Sequence, residues 1–351
     1  MPCYHPLKGF AIGKTDKGKT QYKIVSYDVT SVQLIDGNWI PFSGPVFRSD
    51  KAQKMVAQSV TIPCGKCLGC RLEYSRQWAN RCMLELGYHE SSWFVTLTYD
   101  DAHLPRSFYG NPDTGEAVPC ATLYKRDFQL FMKRLRFKFG VGIRFYAAGE
   151  YGDQTKRPHY HAIIYGLELD DLVFYKKMAL ESANLYYNYY NSESLQSCWR
   201  DKDGNDIGFV VVGKVTWETC AYVARYIMKK QKGQGADIYE KFNIEPEFCL
   251  MSRKPGIAHQ YYEDHPEMWD YDKINISTSN GGRSFRPPQY FERLFDVDCP
   301  DLSIARKKKK NEAAKSAEKI KKRLTDKSYS DIMITEENVK RNRTKKLRRI
   351  L

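Results

Sequence analysis

The sequence contains no apolar run long enough to cross a membrane. Its start, Met1-Pro2-Cys3-Tyr4-His5-Pro6, lacks the apolar stretch of a secretory signal. Neither a membrane protein nor a secreted disulfide scaffold is expected. No internal repeat is found, which argues against a solenoid or a propeller. Acidic residues are outnumbered, 42 Asp and Glu against 56 Lys and Arg, for a net charge of +14. The imbalance is concentrated. Residues 301–351 hold 18 basic and 7 acidic side chains, while the first 300 residues are nearly neutral. Such a cationic tail favours a polyanion through counterion release, without reading its sequence. A plain solvated extension would carry the same composition.

With 42% hydrophobic and 14% aromatic residues, the body can bury a sizeable core. Ten cysteines without a secretory signal suggest a reducing compartment, where clustered cysteine means metal more often than disulfide. Four segments are expected: a Cys-containing region at 1–88, a strand–helix domain at 89–235, a loop-rich part of the core at 236–300 and a basic tail at 301–351. The first includes a helix from Arg71 to about Leu86. Strands are expected at Trp93–Tyr99, Ile143–Gly149, Tyr160–Tyr165 and Phe209–Val212. An amphipathic helix should run from about Leu123 to Phe139, with Phe128, Phe131, Leu135 and Phe139 on one face. The stretch Leu167–Asn205 reads as an insertion with its own helix. Thr216 can cap a further helix that continues to about Lys230.

Histidine is scarce, seven residues in all, yet two of them stand at His159-Tyr160-His161. Strand side chains alternate, so His159 and His161 share a face and Tyr160 takes the other. Two imidazoles on one face are half of a metal site. A hairpin between the flanking strands would bring Glu150 beside them, with its place set by the pairing register. Two His and one carboxylate leave positions open for water and a phosphate oxygen. Alone, a His-x-His pair also arises by chance.

The helix after the last strand carries Tyr222 and Tyr226 four residues apart, on one face. Lys229 follows on that face. Such spacing is ordinary helix packing when it stands alone. Beside a metal pair it fits nucleophilic chemistry. A tyrosine oxygen can attack a DNA phosphate, release a 3′-hydroxyl and leave a 5′-phosphotyrosine. A nearby Lys⁺ favours the phenolate. Two nucleophiles allow cutting and rejoining to alternate.

Three blocks therefore occur in order: Phe94–Tyr99, then Arg157-Pro158-His159-Tyr160-His161, then Tyr222-x-x-x-Tyr226 with Lys229. This pattern resembles the HUH endonucleases with two tyrosines, and within them the replication initiators of microviruses, gokushovirus-type single-stranded DNA phages. Met1–Pro6, the block Pro63–Arg71, Ser252–Gly256 and Phe285–Pro288 are similar to that group as well. The resemblance implies an α+β fold whose central antiparallel sheet carries the His pair, flanked by helices, with the tyrosine helix across from it. It implies Mg²⁺ or Mn²⁺ held by His159 and His161, and Tyr222 and Tyr226 as nucleophiles. Tyr160 departs from the pattern, which expects a bulky apolar residue there. The implied partners are phage origin DNA, single-stranded or as replicative-form duplex, and the host helicase and polymerase. The implied location is the host bacterial cytoplasm. The basic tail lies outside the resemblance.

Cys64-x-x-Cys67-x-x-Cys70 offers three thiols where structural zinc wants four ligands. Cys3, His5 or Cys82 could complete the set, and Cys3 is favoured. Two separate C-x-x-C pairs would be the usual spacing, and this is not that. For DNA contacts, Arg253, Lys254, Arg283 and Arg286 sit in segments expected to be Gly/Pro-containing loops. The cluster Tyr186–Tyr190 could stack bases or pack a core. Two further readings stay open. One is a mobilisation relaxase or single-strand transposase with the same chemistry. The other is a noncatalytic zinc-dependent DNA-binding protein, which leaves the His and Tyr pairs without a use.

Overall fold

The computed structural model describes residues 3–16, 18, 20–180, 185–225, 230, 233–278 and 281–345. Chain contacts divide it into two units, Met1–Glu73 with Phe295–Leu351, and Tyr74–Leu294.

In the first unit, β-branched and aromatic residues alternate with Lys, Gly and Ser, and short strands follow. They are β1 (Leu7–Lys14), β2 (Thr20–Ser26), β3 (Val29–Ile35), β4 (Asn38–Ser43), β5 (Lys54–Val56) and β6 (Ser59–Ile62). Two antiparallel three-stranded sheets result, ordered β2-β1-β6 and β4-β3-β5. Phe10, Val29 and Val32 form their buried core. Helix α1 (Leu68–Leu86) begins inside the Cys-rich block, and its residues from Tyr74 onward belong to the second unit.

The second unit is built on an antiparallel sheet. Its first elements are β7 (Ser92–Leu97), the hairpin β8 (Arg106–Gly110) and β9 (Ala117–Ala121), α2 (Lys125–Phe139), β10 (Arg144–Tyr151) and β11 (Pro158–Tyr165). Then come β12 (Val173–Leu180), β13 (Leu185–Asn191), the one-turn α3 (Glu193–Gln196), β14 (Val210–Lys214) and α4 (Trp217–Arg225). They are followed by α5 (Asp237–Lys241), β15 (Phe248–Met251), α6 (His259–Asp264) and α7 (Met268–Tyr271). The hairpin β16 (Ile274–Thr278) and β17 (Gly281–Phe285) and helix α8 (Gln289–Asp298) complete the order, with α8 running on into the first unit. Seven strands pair as β12-β13-β14-β7-β11-β10-β15.

Strand β11 lies inside the sheet, between β7 and β10, and both of its faces are covered. On one face Phe128, Phe131, Met132 and Leu135 of α2 pack against Val95, Leu97, Tyr160, Ala162 and Ile164. On the other, Trp78, Ala79 and Cys82 of α1 join Cys220, Val223 and Ala224 of α4 over Phe94, Tyr146, Ala148, Ile163 and Tyr165. A period of two along each strand supplies both cores from one sheet. Gly140, with φ of 110°, ends α2, and its amide donates to the Arg136 carbonyl. At Gly208 a Cβ would lie 2.0 Å from the Thr98 carbonyl oxygen, so only glycine lets the chain enter β14 beside the end of β7.

The α+β expectation of an antiparallel sheet flanked by helices, with a Cys cluster near the N-terminus, matches this architecture. Two local expectations are corrected. Among the described residues, the insertion at 167–205 is mainly the hairpin β12–β13, with the four-residue α3 as its helix. Its β-branched and aromatic residues outweighed the helical reading. The stretch 236–300 was expected to be loop-rich, but it supplies β15, which pairs with β10 at the sheet edge.

The tail returns to the first unit as α9 (Pro300–Arg323) and α10 (Tyr329–Lys345). Met333 is fully buried, and the Tyr329 ring centroid lies 5.1 Å from that of Tyr27. Lys321 and Glu336, 2.6 Å apart, join the two helices. Among the described residues no helix is long and apolar enough to cross a membrane.

A candidate metal and tyrosine site

The pairing of β10 with β11 sets Glu150 opposite His159 and Ala148 opposite His161. On the other side His161 pairs with Thr96 of β7. Strand alternation then turns Glu150, His159 and His161 to the face covered by α4. Glu150 and His161 are buried, while His159 keeps about a fifth of its side chain exposed. His159 Nε2 is 2.7 Å from Glu150 Oε1, and His161 Nε2 is 3.4 Å from the same oxygen.

The other ring nitrogens are held from behind. His159 Nδ1 lies 3.2 Å from the Arg157 carbonyl, which can only accept, so Nδ1 carries a proton. His161 Nδ1 lies 2.9 Å from Thr96 Oγ1. Both Nε2 atoms are thereby aimed at the carboxylate. Burial alone would raise the Glu150 pKa. Hydrogen bonds and charge from His159 and His161 outweigh burial and hold the carboxyl well below the usual carboxylate range.

Do these three groups suit a divalent cation? Ligands about 2.1 Å from an octahedral ion, at right angles, stand about 3.0 Å apart. The observed 2.7 and 3.4 Å bracket that spacing. All three ligand atoms lie within 4.8 Å of one another. The donor set fits.

Tyr222 of α4 reaches this place. Its ring centroid is 5.2 Å from that of His161 and 6.1 Å from that of Phe94, edge-to-face in both cases. Phe94 stacks flat on His161 at 5.6 Å. Val223, the next residue, is fully buried in the core and anchors the helix. Tyr226 and Lys229 lie outside the described residues. Thr96 and Phe94 lie in the strand block Phe94–Tyr99, where the sequence alone assigns them no role. That Thr96 stands opposite His161, and that the Phe94 ring stacks on His161, is what the sequence alone did not supply.

Tyr160 points the other way, into the α2 core. Its hydroxyl donates to the Tyr124 carbonyl at 2.8 Å, accepts from the Tyr124 amide at 3.2 Å and meets the Tyr99 hydroxyl at 2.9 Å. Tyr99 in turn donates to Asp127 at 2.7 Å. These bonds let a polar tip replace the bulky apolar residue of the resemblance pattern.

In the first unit, Cys3, Cys64, Cys67 and Cys70 bring their sulfurs within 4.8 Å of one another. Of the three fourth-ligand candidates, Cys3 is the one beside the triplet. His5 instead lies 2.6 Å from Glu337, and Cys82 is buried in the core of the second unit. Burial pushes the Cys3 thiol up to about 11. At Cys67 burial also raises it, but the amides of Cys70 and Tyr4 and other donors outweigh this and bring it down to about 7.

Arg253 and Lys254 are exposed in the turn after β15, and Arg286 is exposed just after β17. Arg283 is not in a loop, as expected, but on strand β17. Its guanidinium stacks 3.8 Å from the Trp217 ring centroid and lies 3.7 Å from Glu218, both at the start of α4. Tyr189 is buried in the sheet core, with Tyr187 and Tyr190 packed beside it, so much of that cluster is core.

Comparison with known proteins gives one direction. Residues 92–231 match the family model for replication-associated protein ORF2/G2P. The replication-associated protein ORF2 of Spiroplasma virus 4 is 32% identical over 317 residues, 88% of this chain and 91% of that protein. The replication-associated protein VP4 of Bdellovibrio phage phiMH2K is 30% identical over 267 residues, 73% of this chain and 74% of that protein. The replication-associated protein ORF4 of Chlamydia phage 1 is 30% identical over 183 residues, 49% of this chain and 39% of that protein. No solved structure matches.

Proposed function

This chain belongs to the family of phage replication-associated proteins, and from that premise we propose that it initiates rolling-circle replication by nicking and rejoining origin DNA. The observation that carries the proposal is the Glu150–His159–His161 cluster with the Tyr222 ring beside it.

His159, His161 and Glu150 would hold Mg²⁺ or Mn²⁺, which when bound polarises the scissile phosphate. The protein's own groups do the rest. The phenol oxygen of Tyr222 or Tyr226 attacks phosphorus as its proton leaves. The bond from phosphorus to the 3′ oxygen breaks, and that oxygen takes up a proton. The 5′ side stays on the enzyme as a phosphotyrosine. Lys229, on the Tyr face by helical spacing, would steady the phenolate. The free 3′ end primes synthesis by the host polymerase, with the host helicase opening the duplex. The second tyrosine cuts when the origin returns, and reversal of the first step rejoins the strand. Arg253, Lys254 and Arg286 would bind phosphates.

The test is incubation with single-stranded origin DNA and Mn²⁺, followed by a denaturing gel. A covalent protein–DNA band is expected from the native chain and none from the double variant Tyr222→Phe, Tyr226→Phe. Normal nicking by the double variant would overturn the mechanism.

A further inference from the structure

Four cysteines of the first unit, Cys3, Cys64, Cys67 and Cys70, take no part in the chemistry above. Cys3 precedes β1, Cys64 and Cys67 lie between β6 and α1, and Cys70 sits in the first turn of α1. The pairing of β1 with β6, Leu7 opposite Ile62, returns residue 3 to the Cys64 turn.

The spacing of the sulfurs separates two chemistries. Cys67 Sγ and Cys3 Sγ are 3.9 Å apart. A disulfide needs about 2.05 Å. A tetrahedron with zinc–sulfur bonds of about 2.3 Å has an edge of about 3.8 Å. The observed distance is that of two ligands on one ion.

The backbone around the sulfurs agrees. Cys3 Sγ accepts from the Cys64 amide at 3.3 Å. Cys64 Sγ accepts from the amides of Lys66 at 3.4 Å and Cys67 at 3.3 Å. Cys67 Sγ accepts from the amides of Tyr4 at 3.3 Å and Cys70 at 3.5 Å. Five amide donors therefore converge on three sulfurs. Neutral thiols are weak acceptors and do not require this. Four thiolates around one divalent cation carry a net charge of −2, and amide donors offset it. Gly65, with φ of +71°, makes the turn that aims the Lys66 and Cys67 amides back at Cys64.

We propose that Cys3, Cys64, Cys67 and Cys70 form a structural tetrathiolate zinc site that closes the first unit. The ion ties the chain before β1 to the first turn of α1. That turn also receives α10: the Leu68 amide donates to Glu337 of α10 at 3.0 Å, and Glu337 lies 2.6 Å from His5. The zinc site thus fixes the N-terminal end of α1 in the place where α10 caps it. All four ligand positions are taken, so the site is closed to substrate.

The full-length chain, purified under reducing conditions, is analysed for metals by mass spectrometry. One zinc per chain is expected. That zinc should persist in His159→Ala, His161→Ala, which removes the other candidate metal site, and should be lost in Cys64→Ser, Cys67→Ser. Growth with cobalt should give a chain with thiolate-to-cobalt charge transfer and the intense visible bands of tetrahedral Co²⁺. The spectrum needs no variant and so survives a variant that fails to fold. Limited proteolysis should cut near the N-terminus faster after chelation. Absence of zinc, iron with acid-labile sulfide, zinc that disappears with the His pair, or an octahedral cobalt spectrum would each overturn the proposal.

Discussion

Thr96 shows how much rests on a single hydroxyl. It touches no DNA in the proposed mechanism, yet its oxygen fixes the His161 ring so that Nε2 faces Glu150. Thr96→Val keeps the shape and removes the acceptor. Mn²⁺ binding at the site is expected to weaken about 10- to 100-fold, with Thr96→Ser restoring it, as read by titration calorimetry. Equal affinity in all three chains would remove Thr96 from the site. Tyr160 offers a stability counterpart. Tyr160→Phe strips the Tyr124 peptide and the Tyr99 hydroxyl of a buried partner and should cost about 1–3 kcal/mol in urea unfolding. A change near zero would mean that the network relaxes freely. His159 and His161 were legible in the sequence because strand alternation is a local rule. Thr96 was not, because nothing local says which strand lies next to His161.

Between elements, the tie of α1 to β10 sets the platform under the tyrosine helix. Glu85 of α1 is buried, pairs with Arg144 of β10, and accepts from the Ala258 amide. Burial would raise its pKa. His89, the Ala258 amide and Arg144 outweigh burial and hold it below its ordinary value of 4.5. The unfolded chain therefore binds this proton more tightly than the folded chain. The stabilisation is complete above pH 4.5 and is lost as pH falls toward the depressed value. Glu85→Gln should lose about 3–5 kcal/mol near neutral pH, because Arg144 is left without its charge partner. Its stability should also fall less steeply on acidification, as followed by circular dichroism in urea. Parallel pH curves for variant and native chain would assign the acid sensitivity elsewhere. The helices α1 and α2 were legible from their apolar periodicity, and α4 from the Thr216 cap. The insertion at 167–205 reads as carrying its own helix, yet much of it is the hairpin β12–β13, since a short aromatic run suits either element until its neighbours are known.

For the molecule as a whole, charge and packing share the C-terminal segment. Its helices bury Met333 and place Glu337 on α1, so removing residues 301–351 would strip the first unit of part of its core as well as its charge. A cleaner probe is Lys308→Gln, Lys309→Gln, two exposed positions on α9. If α9 contacts DNA, the slope of log affinity against log salt should fall by roughly 0.7 per lost single-strand phosphate contact, with the fold unchanged. An unchanged slope would leave that face of α9 as a solvated surface.

The sequence by itself determined the facing of His159 with His161, the four-residue separation of Tyr222 from Tyr226, and the uneven charge. Each follows from backbone periodicity or composition, which act over a few residues. Only the tertiary structure decided that Glu150 stands opposite His159, that Thr96 backs His161, that Cys3 closes on Cys64–Cys70, and that the tail returns to the N-terminal strands. Those pairings join residues up to 332 positions apart, as between His5 and Glu337. They are set by which faces must be buried together, and no local rule carries that information.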